Sequence, residues 1–310
     1  MKLILRFVNR KWFESIVSNI CDTKPSQIES ESNVVIVTQV HKVAINMYLA
    51  AIKSFLYYFG RGTVKVLSDG SLSSEDKVLI ESHIPGVEIV EMSTVDTTGF
   101  PTGGCWERLL YITELVRDAY VIQIDSDTLT LNPIPEIDNA VNEQRGFCIG
   151  SPLWPETVTA DYMGKVARRW LSLHVEAISE QTFFKMNFFH EGKRYIKGCA
   201  AVTGFPKGQV SRETLLEFSS EMETLIGKKK WCEWGSEQVT SNVMVAQTSN
   251  PLVLPWPRYQ NFDFPYSGEP LDRVALIHFI GSNRYNRNIY RRALIQLLAK
   301  LNKQELFVAD

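Results

Sequence analysis

Two short stretches of this chain hold residues of a type and spacing that could do chemistry. The first is Asp125-Ser126-Asp127, which follows directly on the apolar run Val121-Ile122-Gln123-Ile124. In an open α/β sheet, ligands collect outside the carboxyl ends of the strands. Side chains two residues apart on an extended segment also point the same way. Asp125 and Asp127 are therefore expected to face one hard cation, Mg²⁺ or Mn²⁺, which takes oxygen ligands and keeps waters and phosphate oxygens in its shell. The plainer reading of the triplet is an acidic turn. The second stretch is His278-Phe279-Ile280-Gly281-Ser282-Asn283-Arg284, again after an apolar run. A neutral imidazole can ligate Mn²⁺, Gly281 lets a ligand approach the backbone closely, and Arg284 can make paired contacts to phosphate. Taken together, two carboxylates and an imidazole would hold a cation while an arginine completes a diphosphate grip. A departing nucleoside diphosphate needs such compensation, because negative charge grows on it as its bond breaks.

The elements that must position these residues follow an alternating pattern. Val34-Val35-Ile36-Val37-Thr38 reads as a strand buried on both faces. Residues 43–58 read as a helix stopped at Gly60, and Val64–Leu67 as a second strand. A short helix capped by Ser73 or Ser74, a strand at Val87–Val90, a helix at Trp106–Val116 and a strand at Tyr120–Ile124 continue the series. Strands alternating with helices at this spacing predict a mostly parallel sheet covered by helices. After Leu131 the rhythm changes. Helices are expected at 158–172, 175–190, 211–226 and 236–246, strands at 200–206 and 274–279, a proline- and aromatic-rich loop at 251–270, and a last helix near 288–302. Residues 1–32 read as a separate helical lead-in to a single domain over 33–310 (33–131 nucleotide-binding, 132–310 acceptor-side). In that lead-in Leu5, Val8, Trp12, Ile16 and Ile20 fall near one helix face among Lys2, Arg6, Arg10 and Lys11. It is either an interfacial helix touching anionic lipid or a helix packed on the domain.

Composition removes several classes. The chain has 310 residues, 45% of them apolar, enough for a large core without disulfides or a structural metal. Thirty-three basic residues stand against 35 acidic ones, a formal charge of -2, so no global field draws nucleic acid. Five cysteines, at 21, 105, 148, 199 and 232, form no Cys-x-x-Cys pair and fit a reducing compartment. No apolar stretch is long enough to span a bilayer, and Arg6, Asn9, Arg10 and Lys11 interrupt any signal core. A cytoplasmic location, with peripheral membrane contact as an option, is the expectation. Gly103-Gly104 and Gly60-Arg61-Gly62 match no phosphate-binding loop.

From about Val34 to Arg284, the chain resembles glycosyltransferases of the A-type (GT-A) α/β fold, nearest the glycogenin-like and galactosyltransferase-like group called family 8. In that group an aspartate-x-aspartate motif after a strand binds the metal, and Asp125-Ser126-Asp127 stands at that place. The resemblance makes Asp125, Asp127 and His278, with its following Gly281, the metal element. It assigns Thr38, Asp69, Arg108, Ser126, Gly281 and Arg284 to the donor, although the family often has lysine where Arg284 stands and the alternative for Asp69 is a helix cap. Arg108, in Trp106-Glu107-Arg108-Leu109, either orders Asp125 or touches the donor; the alternative is a salt bridge near Glu107 or to Glu114. Trp234-Gly235-Ser236-Glu237-Gln238 resembles the acidic-glutamine element beside the donor sugar, which makes Glu237 and Gln238, together with Arg108, the catalytic candidates. Alternatively, Ser236 simply caps a helix with Glu237 in its first turn. In Leu254–Phe262, Arg258 and Asn261 are expected either to line an acceptor cleft or to cover a core edge.

The resemblance implies a metal-dependent hexosyltransferase that uses Mn²⁺ or Mg²⁺ and a nucleotide sugar, UDP-linked, with retention. Its acceptor would be a glycan, a lipid-linked or a protein acceptor, and a homo-oligomer is an open expectation. The competing classes are a sugar nucleotidyltransferase, which would need a glycine-rich basic loop after Val37, and a non-catalytic nucleotide-binding protein.

Overall fold

The computed structural model describes residues 2–29, 33–264 and 271–303. Helix α1 (Lys2–Val17) leads in. Strand β1 (Val34–Val40) is buried almost throughout, as its β-branched run requires. Helix α2 (Ile45–Phe59) ends on Gly60, whose φ of 71° lies in the left-handed region that closes helices. Strand β2 (Thr63–Ser68) leads to α3 (Ser74–His83), capped at Ser73 by a reciprocal pair of bonds with Asp76. Strand β3 (Glu88–Glu91), α4 (Trp106–Leu115) and β4 (Tyr120–Ile124) complete the alternating half.

The second half holds β5 (Thr128–Thr130), α5 (Pro135–Asn142), β6 (Phe147–Ile149), β7 (Val158–Thr159), α6 (Ala160–Ala167), α7 (Val175–Thr182), β8 (Arg194–Tyr195) and β9 (Cys199–Phe205). It continues with α8 (Arg212–Ile226), α9 (Lys228–Trp231), α10 (Ser236–Ala246), β10 (Leu252–Leu254), β11 (Tyr259–Asn261), β12 (Leu276–His278) and α11 (Ile289–Asn302).

The main sheet runs β10-β6-β9-β4-β1-β2-β3. Strands β4, β1, β2 and β3 are mutually parallel, and β9 runs antiparallel between β4 and β6. A small second sheet, β11-β12-β5, stands beside it. Two apolar layers sandwich the main sheet. One takes residues from α1, α2, α5 and α11, the other from α4, α6, α8 and α10.

Four expectations are corrected. The helix expected over 158–172 stops at Ala167, because Leu171 and Leu173 point almost wholly to solvent and leave no apolar stripe to bury. The helix expected to reach residue 190 stops at Thr182. Phe183, Met186, Phe188 and Phe189 all bury, a set too dense for one helix face, and short 3₁₀ turns deliver them instead. The expected loop at 251–270 contains β10 and β11, because Leu252-Val253-Leu254 extends the main sheet beside β6; residues 265–270 lie outside the described residues. In α1 the buried face is set by Phe13 and Val17, with Ile20 just beyond, while Leu5 and Trp12 face outward. Phe13 packs on Tyr285 and Tyr290, which rotates the buried stripe away from the expected one.

Candidate active site

Strand register explains why the two chemical stretches meet. Strand β5 pairs antiparallel with β12 and sets His278 opposite Thr128, the residue after Asp127. The Phe279 N–H then donates to the Asp127 carbonyl at 2.8 Å. One ligand atom from each of Asp125, Asp127 and His278 lies within 4.8 Å of the others. The two aspartates do not share the extended segment that their spacing predicts. The chain turns between β4 and β5 because these strands belong to different sheets, and the Thr128 N–H and hydroxyl both donate to the Asp125 carbonyl, at 3.3 and 2.9 Å.

Each carboxylate has its own cationic partner. Arg108, the third residue of α4, donates to Asp125 at 2.5 Å and lies 3.7 Å from Glu237. Its side chain is only 5% exposed, and its acidic neighbours are these two, not Glu114. Arg284 pairs with Asp127 and donates to the Phe279 carbonyl at 3.2 Å. Behind the imidazole, His278 Nδ1 lies 2.8 Å from Asn261 Oδ1. An amide oxygen can only accept, so Nδ1 carries the proton and Nε2 is the atom turned toward Asp127, at 3.3 Å.

Asn261 therefore backs the metal element. The strand register places it there, Asn261 being paired with His278. The acceptor-cleft expectation for it is corrected, and Arg258 also faces elsewhere: it pairs with Glu136 at 2.8 Å and the Pro133 carbonyl at 2.9 Å, tying β11 to α5.

Burial and charge act on these groups in opposite senses. Burial pushes the Asp127 carboxyl up, but His278 and Arg284 outweigh it and hold it down at about 2. Burial raises Asp125 above the usual carboxylate value, against Arg108 and with Asp127 adding to the rise. Burial lowers His278, yet Asp127 and Cys199 lift it well above its ordinary value. Burial raises Glu237 to about 7, opposed by Arg108 and reinforced by Asp125. Thr38 Oγ1, Gln39 Oε1 and Glu237 Oε1 are buried without a hydrogen-bond partner among the described residues. Buried polar atoms are normally paired, so these are groups a polar ligand would satisfy. Two carboxylates and one imidazole nitrogen, close together, also form a donor set suited to Mn²⁺ or Mg²⁺.

No family model matches the sequence, and no curated protein matches it. Solved structures do match. The bifunctional glycosyltransferase WbbM superposes with a TM-score of 0.56 at 18% identity, over 87% of this chain and 50% of that one, so this chain spans half of WbbM's length. The galactosyltransferase LgtC, in complex with donor and acceptor sugar analogues, superposes with a TM-score of 0.54 at 13% identity, over 89% of this chain and 98% of that one. Apo GlyE of Streptococcus pneumoniae TIGR4 reaches 0.50 at 11% identity, over 88% of this chain and 63% of that one. This chain has the GT-A glycosyltransferase fold.

Within this GT-A fold the remaining expected residues are placed as follows. Thr38 is buried two residues before the end of β1, because the strand continues to Val40 opposite Ser68. Asp69 follows β2 but folds back on itself, accepting from the Ser71 N–H at 3.0 Å and from the Ser71 hydroxyl. Ser126 sits in the turn between the two aspartates. Gly281 has φ +20°, and a Cβ added there would meet nothing within 4 Å, so its backbone faces open space. Ser236 does not cap α10, as one reading expected. Gly235, at φ 106°, takes the cap position, and the Ser236 hydroxyl instead accepts from Trp106 Nε1 at 2.8 Å. This bond seats the start of α10 on α4, so Glu237 reaches Arg108.

Gln238 is held at both ends. Its oxygen accepts from the Ala200 N–H at 3.2 Å, and its nitrogen donates to Glu176 at 2.6 Å. Glu176 belongs to a half-buried ion-pair network for which the sequence gives no signal: Lys197 lies 3.5 Å from it and 2.8 Å from Glu180, which also accepts from the Tyr195 hydroxyl at 2.7 Å. Nothing in the local spacing of these residues signals the network, which exists because α7 packs against α10 and β8.

Proposed function

We propose that this chain is a metal-dependent hexosyltransferase of the family 8 type. It would move a hexose from a UDP-linked sugar to a glycan, lipid-linked or protein acceptor, with retention. The observation that carries this reading is the meeting of Asp125, Asp127 and His278 from two distant strand ends, inside a fold shared with known glycosyltransferases.

In this reading Asp125, Asp127 and His278 hold Mn²⁺ or Mg²⁺, which when bound offsets the negative charge that grows on the departing diphosphate. Asn261 keeps the imidazole oriented with Nε2 toward the carboxylates. Arg284 is 23% exposed and uses part of its guanidinium on Asp127; its remaining donors serve the phosphates. Arg108, enclosed between Asp125 and Glu237, fixes both acids in position. Glu237 offers Oε1, which the Arg108 guanidinium at 3.7 Å leaves without a hydrogen bond, to a hydroxyl of the donor sugar. Gln238, tied to Ala200 and Glu176, forms a rigid wall beside the reacting carbon. Thr38 meets the nucleoside near the end of β1. The acceptor oxygen attacks on the face from which the diphosphate leaves, and the leaving phosphate takes the acceptor proton.

A donor-hydrolysis screen over nucleotide sugars with added Mn²⁺ tests this without knowledge of the acceptor. The expected result is slow hydrolysis of one nucleotide sugar, abolished by EDTA. No hydrolysis of any donor, or hydrolysis indifferent to EDTA, would overturn the reading.

A further inference from the structure

Helix α1 has one face in the core and one outside. On the inner side Phe13 and Val17 are buried, and Asn9 donates to the Tyr285 carbonyl at 2.9 Å. On the outer side Leu5, Phe7 and Trp12 are each more than half exposed. Leu5, Val8 and Trp12 fall at i, i+3 and i+7, which makes a continuous apolar edge along the helix.

A basic rim surrounds that edge. Arg10 and Lys11 are exposed on α1, with Arg6 half-buried beside them, and the guanidinium of Arg291 on α11 lies 5.9 Å from the Trp12 ring centre. The next residue, Arg292, is exposed. Glu14, the one acid in α1, is bonded to Arg10 at 2.7 Å and Lys11 at 2.8 Å. Helix α11 carries Arg291, Arg292 and Lys300 and no acid, in a chain whose net charge is -2. Positive charge is thus concentrated on the two helices that also expose large apolar side chains.

We propose that the outer face of α1, together with the adjoining start of α11, is a docking surface for an anionic phospholipid bilayer. Leu5 and Trp12, with Val8 between them on the same edge, enter the headgroup–acyl boundary, and the arginine and lysine rim meets the lipid phosphates. A nucleic acid would match the charge but offers no apolar phase for these side chains, and a second copy of this face would oppose like charges. The docked helix is bonded to Tyr285, the neighbour of Arg284, so the bilayer contact bears on the loop that lies over Asp127. This inference stands apart from the transfer reading, because its readout is lipid binding and not activity.

The test is co-sedimentation of the full chain with vesicles of phosphatidylcholine alone and of equal parts phosphatidylcholine and phosphatidylglycerol. Binding is expected to the mixed vesicles, falling at high salt, with little to phosphatidylcholine alone. The double variant Leu5→Ser/Trp12→Ser should lower partitioning on the order of tenfold. Lys11→Gln and Arg292→Gln should each lower it about fivefold. All four side chains are exposed, and unchanged far-ultraviolet circular dichroism would confirm that the variants fold. Absence of binding, equal binding to both vesicle types, or unchanged partitioning of the variants would overturn the proposal. So would a wild-type dimer in light scattering that Leu5→Ser/Trp12→Ser dissolves, since the face would then belong to a second copy.

Discussion

Arg108 and Arg284 each hold one carboxylate of the same aspartate pair, but their surroundings are opposite in charge balance. Arg108 is almost fully enclosed and stands alone between two acids, Asp125 and Glu237. That side is short of positive charge, and burial lifts both acids above their ordinary values, Glu237 to about 7. On the Arg284 side one acid, Asp127, faces two cationic groups and is held at about 2. Arg284 is also the more exposed of the two arginines and sits near the open backbone of Gly281. The difference separates a fixed frame from a grip that can exchange partners. Arg108 positions acids, whereas the surplus of positive charge beside Asp127 suits an incoming diphosphate.

The largest effect should come from removing the acid that both cations on the open side share. Asp127→Ala is expected to weaken Mn²⁺-dependent UDP binding by roughly a hundredfold or more, measured by calorimetry; unchanged metal affinity would refute its role. Next, Arg284→Ala should weaken UDP by about tenfold while leaving uridine unchanged, since a guanidinium contributes to phosphate and not to the base. Equal losses for both ligands would erase the distinction between grip and frame. Asn261→Ala should cost about tenfold in Mn²⁺ affinity by releasing the imidazole, and Asn261→Asp, which can still accept from Nδ1, should restore most of it. If both variants behave alike, the imidazole is oriented by other means.

The smallest effect concerns the frame side and pH. Glu237 has a folded value near 7 against an ordinary 4.5. Its contribution to stability is therefore fully present below pH 4.5 and is lost as pH rises to 7, because the unfolded chain gives up the proton first. Glu237→Gln lacks this loss. In EDTA, its melting temperature relative to wild type should climb by a few degrees between pH 4.5 and 7 and then level off. A difference constant across that window would mean that Glu237 is not held in its neutral form.

Local patterns carried much of this molecule. Val34–Val40 and Tyr120–Ile124 are short, apolar and buried on both faces, so the parallel half of the sheet could be read directly, and Asp125-Ser126-Asp127 could be placed at a strand exit. The proximity of His278 to Asp127 depends on the pairing of β12 with β5, which no spacing along the chain encodes. The partners of Arg108 likewise come from α4, α10 and β4 packing together. The place of Asn261 behind His278 is not legible in the sequence, because Pro255, Pro257 and the aromatics around them look like a loop, while the three-residue strand β11 lies hidden among them. The pairing of Lys197 with Glu176 and Glu180 leaves no trace in the sequence, because burying charged groups is costly unless they find each other, and that pairing is tertiary.

The central claim is that Asp125, Asp127 and His278 join the chain to a nucleoside diphosphate through one divalent ion. Titration of UDP into the wild-type protein by calorimetry, with Mn²⁺ and again with excess EDTA, tests it most directly. One-to-one binding that appears with Mn²⁺ and vanishes in EDTA is expected; the same affinity in both solutions would mean that no ion joins the aspartates and histidine to the diphosphate.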